Sequence, residues 1–359
     1  MSTVNTPMAE ETAAPRANTL RSFNFSGRFW VSLVLVVFVI VLGLAGLVYP
    51  TGPGEKVGSL YDAPGGGLPL GTDNFGHDVL AVLMAGTRTS LIIGLVAGVV
   101  ATTIGVTVGL LAGYVGGWFE ELLMGVTNVV LAIPAIVVLI LISMSLPNST
   151  IWSLALVIGI TSWPWTARAV RAQASSVATR EHIDVARLSG ARLPGILLKD
   201  VLPYILSYTV MAFVLQVSGA ILAEAALSML GLGPSGADSL GSQLHWSLAF
   251  QAVASGAWWA FLPPTIVLTL VSFGFLLLQA SLDEVFNPRL RRGKRKQMKQ
   301  AAARRAAEAR QLLERNDEAS DETGAADEAS DETGAADEAS DEAGPAPDHS
   351  ERSRAGEPS

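Results

Sequence analysis

No cysteine occurs in the 359 residues. Disulfide frameworks, thiolate metal sites and cysteine nucleophiles are therefore excluded, and the redox compartment is left open. Histidine is scarce as well, with four in the chain, and none stands in an HExxH arrangement for zinc. The GxxxxGK[ST] loop that cradles nucleotide phosphates is missing, as is the GxSxG nucleophile elbow. Charge is thin: 16% of residues are Asp, Glu, Lys or Arg, against about 25% in soluble domains. What is abundant is apolar side chain, half of all residues, with a mean hydropathy of +0.42. A soluble domain with a long polar tail does not reach such values, so a membrane protein is expected.

The formal charge of −8 belongs to one end of the chain. Residues 317–359 hold 15 acidic and 2 basic side chains, which leaves +5 on the first 316. DEASDETGAA begins at 317 and again at 327, and DEASDEAGPA follows at 337. Repeats this acidic and this poor in large apolar groups cannot bury a core, so 317–359 is expected to be a disordered tail. Residues 293–316 are rich in Ala and Arg. They read as an extended cytoplasmic stop-transfer segment in preference to a surface helix on anionic lipid or nucleic acid.

The expected fold is an all-α integral membrane protein with six transmembrane helices. Residues 1–28 form a cytoplasmic leader, and 29–49 the first transmembrane helix, too long for a signal peptide and lacking a cleavage pattern. Residues 50–90, with four acidic side chains and one Lys up to residue 78, read as an extracytoplasmic loop and a short interfacial helix. A core over 91–292 then holds spans at 91–111, 122–144 (kinked near Pro134), 151–166, 201–222 and 260–278, with a polar outer loop at 234–256. Gly94, Gly98, Gly105 and Gly109 let helix backbones approach closely in lipid. Six basic against two acidic residues from Arg168 to Lys199, and seven basic residues from Arg289 to Lys299, place both segments inside. Both termini are thus expected in the cytoplasm.

Between two of these spans lies a polar stretch, 179–203, TREHIDVARLSGARLPGILLKDVLP. Thr179 is suited to cap a helix with Glu181 in its first turn. Gly190 is suited to end that helix in the left-handed region, and Pro194 to open a second one. Ile183, Ala186, Ile196, Leu197 and Val201 give these helices an apolar side of the kind that docks into a groove on a partner.

Asp184-Val185-Ala186, Gly190 and Leu202-Pro203 resemble the EAA signature of bacterial ABC importer permeases, with Asp184 in place of the usual Glu and Asp200 where Ile is common. GTDNFGHDVLAVLMAGTRTSL at 71–91 is similar to the GTDxxGRD and Gly-x-Arg-x-Ser-Leu run of the dipeptide/oligopeptide branch, His77 replacing an Arg. ILAEAALSMLGLG at 221–233 and the Pro288-Arg289 pair match the same branch, so the resemblance spans Leu70 to Arg292. It implies a type I importer permease fold. It implies that Glu181, Asp184, Ala186, Gly190, Leu202 and Pro203 couple to an ATPase. It makes Gly71, Thr72, Asp73, Gly76, Asp78, Arg88, Glu224, Pro288 and Arg289 structural motif positions. It further implies a second permease subunit in a heterodimer, two ATPase subunits carrying ATP and Mg, and an extracytoplasmic solute-binding protein, all in a prokaryotic plasma membrane. The chain itself would bind no cofactor and catalyse nothing. Peptides are the expected substrate, with oligosaccharides or nickel carried elsewhere in the branch.

Several residues have a second reading. Asp73, His77 and Asp78 read as a structured turn in preference to a metal site. Glu224, an acid in an apolar helix, reads as paired structurally in preference to touching substrate. Trp258-Trp259 reads as an interface anchor in preference to a sugar platform. Gly233-Pro234-Ser235-Gly236 with His245 has the GxSG form of an intramembrane serine protease, which stands as a minor alternative. An ion-driven secondary carrier is another, although it has no need of a coupling segment.

Overall fold

The apolar runs fold as helices, and isolated bridges are the only extended pairing among the described residues. The computed structural model describes residues 27–146 and 149–286, with 303–305, 307, 308 and 311. The leader before Gly27, Pro288, Arg289 and the acidic repeats lie outside the described residues. The chain divides into two units, Met1–Pro288 and Arg289–Ser359. In the second, 303–305 and 307–308 are helical.

The first unit contains α1 (Gly27–Ala45), α2 (Val79–Val115), α3 (Gly117–Ala132), α4 (Ala135–Ser145), α5 (Ile151–Ala178) and α6 (Glu181–Leu188). It continues with α7 (Leu193–Gly195), a wide turn over Ile196–Val201, α8 (Leu202–Met229), α9 (Leu240–Ala249) and α10 (Trp258–Phe286). Six spans were expected. By length and apolarity four helical runs among the described residues qualify: α1, α2, the run Leu193–Met229 and α10. The pair α3 and α4, bent by 80°, makes a fifth if counted as one span. At 28 residues α5 is long enough, but Pro164, its flanking tryptophans, Arg168 and Arg171 dilute its apolar character.

Three boundaries depart from expectation for identifiable reasons. The interfacial helix expected before Leu91 and the span expected after it are one helix. Asp78 caps α2 by accepting from the Leu80 N–H, and nothing interrupts the ladder for 37 residues, a rod of about 55 Å. At Pro134 the expected kink is a full break. Proline lacks an N–H and pushes its predecessor out of the helical region, and Ile133 is extended at φ −89°, ψ 128°. The outer loop expected over 234–256 contains α9, opened by a capping box in which Ser239 and Ser242 each bond the other's backbone N–H. That box carries Ser where the usual signature has Glu.

The bundle packs around α2. A Cβ placed on Gly105 would lie 2.6 Å from Thr166 Cβ, one on Gly109 2.6 Å from the Ala167 carbonyl oxygen, and one on Gly113 2.6 Å from that of Arg171. The backbone of α5 fills the space that side chains would need. Farther along, Gly98 faces Val217 of α8 in the same way, at 2.6 Å. Lipid offers helices no hydrophobic reason to associate, so close dispersion contact through small residues does the holding. Gln216 of α8 adds a polar tie near Pro164, donating Nε2 to the Ser162 carbonyl at 2.8 Å and to Thr166 Oγ1 at 2.7 Å.

Gly109→Val is expected to force α5 off α2 and destabilise the bundle by about 1–3 kcal/mol, the usual cost of overpacking. Gly219→Val, where an added Cβ meets nothing within 4 Å, is the control that stays near the parent. Thermal unfolding of the detergent-purified chain followed by tryptophan fluorescence separates the two.

Candidate functional site

The polar stretch folds as a helical turn projecting from one end of the bundle. Thr179 does not open α6. It ends α5, its N–H bonding the Val177 carbonyl, and Arg180 precedes α6 without a side-chain cap. Thr179 Oγ1 instead donates to Ser176 O at 3.4 Å. Within α6, Glu181 and Asp184 occupy the first turn and Arg187 the last, each charge favoured by the helix dipole. The helix closes as sequence reasoning expected, with Gly190 at φ +78°. The Gly190 N–H bonds the Arg187 carbonyl at 3.0 Å and the Ala191 N–H that of Ala186 at 3.2 Å, a Schellman motif. Nothing lies within 4 Å of a Cβ added to Gly190, so glycine is required there by torsion alone.

Pro194 is the second residue of α7, but no separate second helix follows. The chain runs on through the wide turn Ile196–Val201 into α8. Pro203, the second residue of α8, would press its ring against the carbonyl four residues back in a regular helix. The turn before it is widened, the Leu202 N–H reaching the Leu197 carbonyl. Such single wide turns are frequent at functional positions.

The apolar side assigned to docking is used internally. Ile183, Ile196 and Val201 are buried with Leu110 of α2 and Val170 and Ala174 of α5, with Ala186 packed against them. A positive charge anchors the same helix: Arg187 Nε donates to Tyr114 Oη at 2.9 Å, its guanidinium lies 4.8 Å from that ring centre, and Asp184 is 3.4 Å away. The hydrogen bond to Tyr114 raises the Arg187 pKa further above its ordinary value. His182 stacks on Tyr204 of α8 at 4.6 Å and Arg180 lies over the same ring at 5.3 Å. Exposed on this helix are Glu181, Val185 and Leu188, and Asp184 beside its partner Arg187. Leu188 is 89% exposed, more than any other large apolar side chain among the described residues.

At the other end of the bundle the 71–78 motif builds a cap. Gly71 and Gly76 take positive φ, +66° and +84°. Thr72 is fully buried; its Oγ1 accepts from the Asp62 N–H and donates to the Ser59 carbonyl, both at 2.7 Å. Its own carbonyl accepts from Trp259 Nε1 at 3.1 Å. Asp73 accepts from the N–H groups of Phe75 and His77, at 2.8 and 2.9 Å, and pairs with His77 Nδ1 at 3.3 Å. Asp78 holds the start of α2 and accepts from Tyr49 Oη at 3.0 Å; burial and this bond raise the tyrosine's pKa. Glu224 is buried in α8, accepting from Ser90 Oγ of α2 at 2.8 Å and from Ser228 Oγ at 2.6 Å. Ser90 Oγ accepts in turn from the Leu240 N–H at 3.2 Å, so one carboxylate ties α2, α8 and α9. Arg88 stands apart from this network, among apolar side chains of α1 and α2.

Two features were invisible in sequence. Glu120 of α3 forms an ion pair with Arg171 of α5, and Arg168 donates to Asn128 Oδ1 at 2.7 Å. These pairs wall an open cavity of about 620 Å3 with the uncommitted Glu121. Tyr114, partner of Arg187, is the other. All are contacts between residues 40 to 73 positions apart, which no local pattern encodes. For the protease alternative, His245 Nδ1 lies 3.0 Å from the Met229 carbonyl, and among the described residues no hydrogen bond joins His245 to Ser235.

The family model for binding-protein-dependent transport system inner membrane components matches residues 105–292. A Brucella suis biovar 1 protein whose name proposes a peptide permease is 33% identical over 61% of this chain and 72% of its own length. The oligopeptide transport system permease protein OppC of Lactococcus lactis subsp. lactis is 28% identical over 73% of this chain and 88% of its own. A solved structure of the MetNI methionine ABC transporter in inward-facing conformation aligns at a TM-score of 0.43 and 21% identity, over 56% of this chain and 96% of that one.

Between α8 and α9, Asp238 faces a small cavity of about 80 Å3 together with Asp73, Asn74 and His77. Burial raises its pKa, His77 opposing the shift and Asp73 adding to it. The folded state therefore holds this proton more tightly than the unfolded chain. Stability falls as pH climbs from about 4, the ordinary carboxylate value, through the raised one. Asp238→Asn is expected to stabilise the chain at neutral pH and to lose that advantage below about pH 4. Melting temperatures of both proteins across pH check the sign.

Proposed function

Because the chain belongs to the family of binding-protein-dependent transport system inner membrane components, we propose that it forms half of the translocation path of an ATP-driven peptide importer, with α6 as its coupling element. It is a multi-pass protein of the prokaryotic plasma membrane and a transport subunit. Peptide as cargo is supported by the oligopeptide permease OppC among its relatives. A six-span reading takes α1, α2, the bent α3–α4 pair, α5, α8 and α10 as spans, and the basic segments 168–199 and 289–299 support a cytoplasmic α6 and cytoplasmic termini through the positive-inside rule.

The observation that carries the coupling role is the two-sided character of α6. Ile183 and Arg187 root it in the chain's own bundle, while Val185 and Leu188 stand exposed beside Glu181 and Asp184. An ATPase cleft that accepts the exposed side gains a rigid lever. ATP and Mg, bound by two such partners, close the pair and displace α6. The displacement passes through Tyr114 to α2 and through Ile196–Val201 and Leu202-Pro203 to α8. The permease is then a two-state element, and ATP selects the state whose contacts with the closed partners are better. The exposed apolar residues of α3 and α4, among them Val129 and Leu141, suit a second permease subunit. The 71–78 cap and α9 face the side from which a solute-binding protein delivers cargo.

Gly190→Val places a β-branched residue in the left-handed region, a strain of about 1–2 kcal/mol, without any clash. Peptide uptake driven by ATP is expected to fall severalfold while the subunits still co-purify. Gly190→Asn, which tolerates that region, is expected to keep most uptake. Full uptake by the valine variant would remove Gly190 from the coupling role. Purification of the unmodified chain without any ATPase subunit, together with uptake that ignores ATP, would overturn the importer reading itself.

A further inference from the structure

A groove of about 460 Å3 lies between α1, α2, α8 and α10, walled by apolar side chains apart from Arg88. Among the described residues Arg88 takes part in no hydrogen bond or ion pair. A lone guanidinium at membrane level is costly unless an anion meets it. Its depth follows from the length of α2. A hydrocarbon core of about 30 Å takes about 20 residues of helix. Centred on Ala97, the middle of Val79–Val115, that window reaches about residue 87. Arg88 therefore sits where acyl chains give way to headgroups, at the Asp78 end of the helix. Gly43 and Leu44 of α1 lie at the same level, the α1 backbone passing so close that a Cβ on Gly43 would be 3.2 Å from the Arg88 backbone nitrogen. From there the groove descends past Leu95 to Phe213 and Phe275. Leu44 and Leu95 on its rim are each 53% exposed.

We propose that this groove is a binding site for an anionic phospholipid of the leaflet at the Asp78 end. The headgroup phosphate engages Arg88, and one acyl chain lies along Leu95 toward Phe213 and Phe275. A cation at headgroup depth above an apolar trench matches the two halves of such a lipid in charge and in order. The fork of guanidinium donors suits phosphate oxygens. The site is separate from the coupling turn, and it gives this subunit a direct dependence on membrane composition.

The test uses the full chain with its co-purifying subunits, stripped of lipid and equilibrated with phosphatidylcholine vesicles containing phosphatidylglycerol. Native mass spectrometry then counts the phospholipid retained per complex. The unmodified complex is expected to keep a bound phosphatidylglycerol. Arg88→Gln is expected to retain roughly tenfold less, the scale of one lost charge-assisted contact, and Arg88→Lys to recover part of it. Leu95→Trp, which fills the trench and leaves the charge in place, is expected to lower retention as well, and it decides the matter if Arg88→Gln fails to fold. Undiminished retention in the variants would overturn the proposal. So would a photo-crosslinker at Leu95 that captures a co-purifying subunit instead of lipid, since the groove would then be a protein interface.

Discussion

The close approach of α5 to the glycines of α2 is the constraint on which the rest of the bundle rests. Gly105, Gly109 and Gly113 leave no room for side chains, and the backbone from Trp163 to Ser175 occupies that space. The last turn of this contact also organises the α6 end. Leu110 packs with Ile183 and Val201, Arg171 lies against Gly113 and pairs with Glu120, and Tyr114 holds Arg187. One turn of α2 thus touches α3, α5, α6 and the start of α8. A force applied to α6 cannot remain local, because its anchor is the same turn that spaces the two central helices.

Polar groups in this chain divide into those that are used up and those that are not. Thr72, Asp73, Asp78 and Glu224 are committed to backbone N–H groups, hydroxyls or a neighbouring histidine. In lipid or in a tight cap such saturation is the condition for burying them at all. They are scaffold, and the pattern they form in sequence records the cap and the α2–α8–α9 junction. Among the described residues the uncommitted charged groups include Glu181 beside the exposed Val185 and Leu188 of α6, Glu121 beside the α3–α5 cavity, and Arg88 in its trench.

Much of this was legible in sequence where one residue's own backbone demands a conformation. Gly190 ends α6, Pro134 interrupts the third apolar run, and Gly94 to Gly109 mark a packing face, all for reasons internal to glycine and proline. Tertiary choices were not legible. The apolar positions Ile183, Ile196 and Val201 were assigned to a partner, yet a bundle end that leaves Leu110 and Val170 uncovered takes them first. Thr179 has the chemistry of a cap, but α5 runs to Ala178 and leaves it at a helix end. The serine-only capping box at Ser239 hid α9, and the wide turn before Pro203 hid that the segment from Pro194 runs on into α8.

The central claim is that the exposed side of α6 lies against the nucleotide-binding partner. Because the chain contains no cysteine, Leu188→Cys creates a unique thiol at the most exposed apolar position of that helix. The decisive measurement is disulfide or maleimide cross-linking of this thiol within the complex in membranes, with and without ATP. The account predicts a cross-link to the ATPase subunit whose yield changes with nucleotide. A thiol that reacts freely with a soluble reagent in the intact, ATP-hydrolysing complex, and never cross-links to that subunit, would contradict it.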